Sequence, residues 1–354
     1  MDNLFEYRKA MDGLRFTPEQ KEALTHTVAA QAAGEPRATR RPLRRMVLVT
    51  AAAVLVLAVG TASATGLLKS AAEVFAPLLG GQPAQTEIVD KIGRPLGAAA
   101  NGHGLTITAD AILGDSRSAC IVYSVARTDG APLGLPAGVE VADLLFEESD
   151  CDLRGGNGNN GSAWFTDDNP ADSTVQFVTT TTAEDSLKLG AVQTTFRDLC
   201  YWDEAKSANV PLFEGKWVIR FDADYEDSSV AVPAGQTFGQ DGVQFTITEI
   251  RLSPVAIQVE YEAGRQVVWS DSKGAEADGR VEEHDAQEVA RYLHNVKILL
   301  TKTDGTVLDL TNSGGNMRPE NGKTICGKGG VFEEILPLEQ VESITVGGVV
   351  IPLP

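Results

Sequence analysis

Four cysteines carry the most reactive side chains of this sequence: Cys120, Cys151, Cys200 and Cys326. Their even number, in a segment read below as exported, permits disulfides. Cys151 (SDCDLRGG) and Cys200 (FRDLCYWD) sit in polar surroundings and bracket a Gly/Asn-rich insertion, so they are the favoured pair. Closing that loop would stabilise the fold by about 3–4 kcal/mol on the chain-entropy model. Cys120 lies in an apolar strand and Cys326 in a turn, and the three connectivities and four free thiols all stay open. No C-x2-C or His-rich spacing points to a bound metal.

Asp222, Asp224 and Glu226 begin like a calcium loop. The central Gly is absent and position twelve is Pro233, which excludes an EF-hand. A surface calcium site on those three carboxylates stands beside the plainer reading of a solvated acidic turn, as it does for Asp167, Asp168 and Asp172. Gly156-Asn157-Gly158-Asn159-Asn160-Gly161 matches G-x-G-x-x-G, but SAWFTDDNP follows where a helix is required, so a flexible loop is expected. Neither H-E-x-x-H nor G-x-S-x-G occurs, and His103, His284 and His294 are scattered. The expectation is a protein without cofactor or catalytic residues, and not an enzyme.

The elements that position these side chains are set by one run. Met46–Leu68 is 23 residues without a charge, long enough as a helix to cross roughly 30 Å of hydrocarbon. Arg37, Arg40, Arg41, Arg44 and Arg45 precede it, whereas Glu73, Glu87 and Asp90 follow with Lys69. That asymmetry predicts a single-pass protein of the cell membrane, N-terminus cytoplasmic and C-terminal part extracellular. Ala62-Ser63-Ala64 resembles a cleavage site, yet 45 residues precede the run, too many for a signal peptide of about 15–30 residues. Residues 1–45 carry 9 Lys/Arg against 6 Asp/Glu, and the rest 21 against 43. An exterior this acidic repels nucleic acid and anionic headgroups.

Within residues 1–45, Leu4, Tyr7, Met11 and Leu14 form one helical stripe. A second helix starts at Phe16-Thr17-Pro18, with Gln20 completing a capping box and Leu24 and Val28 on one face. Two short helices cannot bury a core alone. They form either an amphipathic tail on the membrane or a helix-in-groove ligand for a cytosolic partner through Leu4, Tyr7, Met11, Leu14, Phe16, Leu24 and Val28.

The remainder alternates short apolar runs with turn residues. Residues 69–100 read as a juxtamembrane linker broken by Gly80-Gly81 and Pro83. Strands are expected at Leu105–Leu113, Ala119–Val125, Ser173–Thr180, Gly215–Ala223, Val243–Leu252, Ala256–Glu262, Val296–Thr301, Thr306–Leu310 and Ser343–Ile351, with one helix at Glu282–Leu293. A weak repeat pairs Gly104–Thr108 and Tyr123 with Gly242–Thr248 and Tyr261. The expected class is mainly β: two tandem immunoglobulin-like β-sandwich domains, 101–230 and 231–354, outside one transmembrane helix, 46–68, and a short helical cytoplasmic segment, 1–45.

LFEYRKAMDGLRFTPEQKEAL, the basic stretch, the apolar run and EVFAPLLGGQPAQTEIVDKIGRPLGAAANGHGLTITADAILGD together resemble a group of Gram-positive bacterial membrane proteins with an extracellular domain of unknown function. Genes of that group often lie beside extracytoplasmic-function sigma factors, and the proteins are similar in layout to membrane-anchored anti-sigma factors. The resemblance implies that the cytoplasmic helices sequester a sigma factor while the outer domains sense a signal or bind an extracellular ligand. The segment departs from zinc-type anti-sigma domains, whose His/Cys ligands it lacks. The alternative is a surface-anchored binding or structural module contacting cell wall, glycan or protein.

Overall fold

The computed structural model describes residues 69–79, 83–153, 160–187, 189–269 and 283–353, all within one compact unit, Ala58–Pro354. The protein is mainly β, and every sheet is antiparallel. Among the described residues no helix is long and apolar enough to cross a membrane; the run Met46–Leu68 and the stripe residues from Leu4 to Val28 lie outside them.

The first half builds a five-stranded sheet in the order β1 (Arg94–Gly102), β2 (Leu105–Gly114), β3 (Ser118–Arg127), β6 (Thr174–Thr182), β5 (Asn160–Thr166). A three-stranded sheet of β4 (Leu144–Cys151), β7 (Gly190–Asp203) and β8 (Ala208–Ala223) covers one of its faces. Alternation turns Leu105, Ile107, Ile121, Tyr123, Phe177, Phe196 and Trp217 into the shared core. Phe146, Phe165, Phe177 and Phe196 pack ring to ring there, with centroids 4.6–5.7 Å apart.

The second half repeats that plan. One sheet has the order β10 (Thr237–Gln240), β11 (Val243–Leu252), β12 (Ala256–Ala263), β16 (Lys323–Val331), β15 (Gly315–Glu320), with β9 (Val230–Val232) also on β11. Against it packs β14 (Val307–Asp309), β13 (Ile298–Lys302), β17 (Val341–Val346), β18 (Val349–Pro352) around Phe245, Ile247, Tyr261, Ile298 and Ile344. The weak sequence repeat corresponds to matching hairpins. Tyr123 pairs with Ala109 next to a bulge at Asp110, and Tyr261 pairs with Ile247 next to a bulge at Thr248.

Residues 69–100 differ from the linker expected. They hold helices α1 (Ala71–Leu79) and α2 (Pro83–Ile92) and most of strand β1. A capping box starts α1: Ser70 N–H donates to Glu73 Oε2 at 2.7 Å, and Glu73 N–H to Ser70 Oγ at 3.2 Å. Asp90 on α2 accepts from Ala72 N–H at 3.2 Å, tying the two helices together. The expected helix at Glu282–Leu293 is found as α3 (Glu283–Val289), widening into one π turn, Ala290–His294.

Candidate functional site

The outer face of the five-stranded sheet is where the two halves meet. Helices α1 and α2 lie on it as a wedge. Phe75 is fully buried, and Ala71, Ala72, Val74 and Leu79 pack with Leu113, Cys120, Val122 and Val178 of the first half. The same cluster takes in Val255, Ala256 and Ile335 of the second half. Gln85 on α2 donates its Nε2–H to Ile335 O at 3.2 Å.

Beside the wedge the outer face stays open as a groove of about 740 Å³. Its floor is set by register. Across β3, β6 and β5 one row is Val122–Val178–Trp164 and the next is Cys120–Thr180–Ser162. An apolar row therefore runs beside a row ending in two hydroxyls. Leu78 and Leu79 of α1 form one wall, and Gly329, Gly330, Val331 and Phe332 of the second half form the other. Within each sheet, glycine lets a lining strand lie close to its own neighbour, β5 to β6 and β16 to β12. A Cβ on Gly161 would stand 2.5 Å from Thr180 O, and one on Gly329 would stand 2.1 Å from Ile257 O. Burial pushes the Cys120 thiol up to about 12, so it packs as a small apolar side chain and not as a nucleophile.

At one end the groove adjoins a narrower charged cleft, with Thr182, Gly314 and Gly329 lining both. Ion pairs join the halves here: Arg318 Nη1 to Glu184 Oε2 at 2.8 Å and Arg117 Nη2 to Glu249 Oε2 at 2.8 Å. Asn316 also donates to Glu184, and Gln258 Nε2–H to Ala183 O at 3.2 Å. Gly161, Ser162 and Thr180 are shared with a second cavity of about 290 Å³ that enters the first core toward Tyr123. Tyr123 and Thr194 hydroxyls hydrogen-bond at 3.0 Å there.

The sequence candidates lie elsewhere. Cys151 registers with Thr194 and Cys200 with Leu145, six positions and so about 20 Å apart along the ladder. A disulfide needs Cα atoms within about 7 Å, so the favoured Cys151–Cys200 pairing is corrected: all four thiols are free. Asp222, Asp224 and Glu226 all point to solvent, alternating with buried Phe221, Ala223 and Tyr225. Extended chain spreads the three carboxylates along a surface instead of gathering them. Among the described residues no cluster of His, Cys, Asp or Glu could hold a metal ion. Trp164, Thr180 and the wall glycines were not singled out from the sequence; the one local cue was an exposed-face Trp following a glycine-rich loop.

No family model matches the chain, and no curated protein matches it. Among solved structures it is similar to the crystal structure of the conserved domain protein from Bacillus anthracis, at 15% identity and a TM-score of 0.44, covering 80% of each chain.

Proposed function

We propose that the protein is a membrane-anchored, anti-sigma-factor-like regulator, with an exterior of two immunoglobulin-like domains that senses a signal at the inter-domain groove. One observation carries this reading. The first described residues after the apolar run form α1, and α1 both wedges between the two halves and walls the groove with Leu78 and Leu79. A ligand entering the groove touches the helix that leads directly back to the run. A change in the angle between the halves would move the same helix, because Val255, Ala256 and Ile335 press on it from the second half. Stabilising one arrangement of the halves over another is all that a ligand needs to do to bias such a device.

The test uses the full chain in detergent with a sigma factor encoded beside it. The chain should retain the sigma factor, and Phe16→Asp or Leu24→Asp should release it where Glu19→Ala does not. In cells, Phe75→Ala should change the output of a sigma-dependent reporter without weakening that binding. An unchanged reporter on deletion of residues 2–33 overturns the proposal.

A further inference from the structure

We propose that the groove between the two halves binds a neutral saccharide, with Trp164 as its stacking platform. This deepens the regulator reading by naming the ligand class at the same site, and it rests on the groove being where the signal enters.

Three observations select the ligand. The first is the aromatic surface. Trp164 is 41% exposed, lines the groove, and stands in register with Val178 on the neighbouring strand. An indole is large, rigid and amphipathic, and it loses little conformational entropy on binding. The second is charge. No Lys or Arg occurs among the described lining residues, and Glu333 is their one acid. A phosphate or carboxylate would find no countercharge, and a quaternary ammonium would lack the aromatic cage that recognises it. The third is the pattern of the floor. Trp164 and Val178 lie parallel to Ser162 and Thr180, so an apolar strip and a hydroxyl strip run side by side. A pyranose presents a face of C–H groups and an edge of hydroxyls, which is that pattern in complement.

A peptide is the weaker match for a reason of topology. Extended peptides gain affinity by bonding to a free strand edge. The floor of the groove is sheet face, since β3 and β6 are paired on both sides and β16 lies between β12 and β15. Strand β5 ends its sheet, so a peptide could add only along that rim and not across the floor, and the peptide arm of the experiment tests this.

The experiment is calorimetric titration of the full chain in nanodiscs with chitotriose, cellotriose and maltotriose, and with the uncharged peptide acetyl-Ala-Thr-Val-Thr-Ala-amide. At least one trisaccharide should saturate with Kd of about 0.1–1 mM. Trp164→Ala should weaken it ~tenfold or more, Trp164→Phe should retain part of the affinity, and Thr180→Val should weaken it less than Trp164→Ala. Trp202→Ala, at an exposed hairpin tip, should leave it unchanged. Melting curves of each variant establish that it is folded. The proposal is overturned if no trisaccharide saturates by about 10 mM, if Trp164→Ala binds as the parent does, or if only the peptide binds. A binding failure with Phe75→Ala still altering the sigma-dependent reporter would remove the saccharide and leave the regulator reading; binding with a silent reporter would do the reverse.

Discussion

Ser253 Oγ donates a hydrogen bond of 2.5 Å to the buried carboxylate of Asp115. The two residues occupy equivalent places, Asp115 in the turn between β2 and β3 and Ser253 in the turn between β11 and β12. The two matching hairpins thus meet turn to turn. Asp115 Oδ1 also accepts from Arg117 N–H at 2.8 Å and Ser118 N–H at 2.7 Å, so the carboxylate braces its own turn as well as the junction.

Removing either partner should loosen the junction unequally. Ser253→Ala takes one donor from Asp115 and the longer contacts from Val255 N–H at 3.3 Å and Ala256 N–H at 3.0 Å, and should cost about 1–2 kcal/mol. Asp115→Ala removes the acceptor of the Ser253 hydroxyl and of two backbone N–H groups at 2.7 and 2.8 Å, and should cost about 3 kcal/mol or more. Urea denaturation of both variants against the parent reads the difference. Equal costs would show that the backbone donors find other acceptors.

Asp110 makes stability depend on mild acid. Burial pushes its carboxyl up to about 6, opposed by the Ser124 hydroxyl donating at 2.5 Å and by the Lys69 charge. Asp168 acts in the same direction as burial. Between the ordinary carboxylate value and about 6 the folded state holds the proton and the unfolded state does not, so stability falls as pH rises through that window. Asp110→Asn should abolish this slope and gain up to about 2–3 kcal/mol at pH 7. Denaturation midpoints of both proteins from pH 4 to 7 measure it.

Lys328 acts on the alkaline side. It is buried, and its Nζ donates to Leu293 O at 2.7 Å and Val296 O at 2.8 Å, capping the π turn. Burial brings the ammonium down to about 8, with Asp309 opposing. Between about 8 and the ordinary lysine value the unfolded state holds the extra proton, so stability rises with pH there, by at most ~1.4 kcal/mol per unit. Lys328→Met should be less stable throughout, because two carbonyls lose their donor, and should lack that rise. Parallel slopes for the two proteins between pH 8 and 10 would refute the assignment.

The cysteines give a direct chemical check. Denatured without reductant, the chain should titrate as four thiols. In the native state, iodoacetamide should reach Cys151 first. It is the half-buried one, while burial pushes Cys120 and Cys326 up to about 12. Mass spectrometry of tryptic peptides after timed labelling distinguishes the order, and a Cys151–Cys200 linked peptide would contradict the register of β4 and β7.

Strands with alternating apolar and polar residues were legible from the sequence. Strand β11 begins and ends at Val243 and Leu252, alternating up to Ile247 and again from Ile250, on either side of the bulge at Thr248. The repeat around Tyr123 and Tyr261 foreshadowed a shared bulge, because a hairpin's side-chain pattern is local. By contrast, β15 and β16 read GNMRPE and KTICGKGGV, compositions poor in strand formers. They become strands because β12 supplies a paired edge and because glycine is needed where Gly329 meets Ile257 O. The wedge carries the sequence pattern of a linker because Gly80, Gly81 and Pro83 interrupt it. What holds its two short helices is contact with Val255 and Ile335, which no local window includes. The groove was invisible for the same reason: Trp164 and Phe332 carry no mutual signal along the chain.

That distance gives the wedge a place in time. Gln85 and Ile335, joined by a hydrogen bond, are 250 residues apart. In synthesis from the N-terminus, α1 and α2 emerge before everything they are buried against in the second half. Phe75 and Leu79 must wait until nearly the last strands have formed, and contacts of such long range are the slow ones to close. Assembly of the junction is therefore a report that both halves have folded. The helix nearest the apolar run is the last to be locked, so a chain stalled short of Ile335 would present an unlocked α1 to whatever lies beneath it.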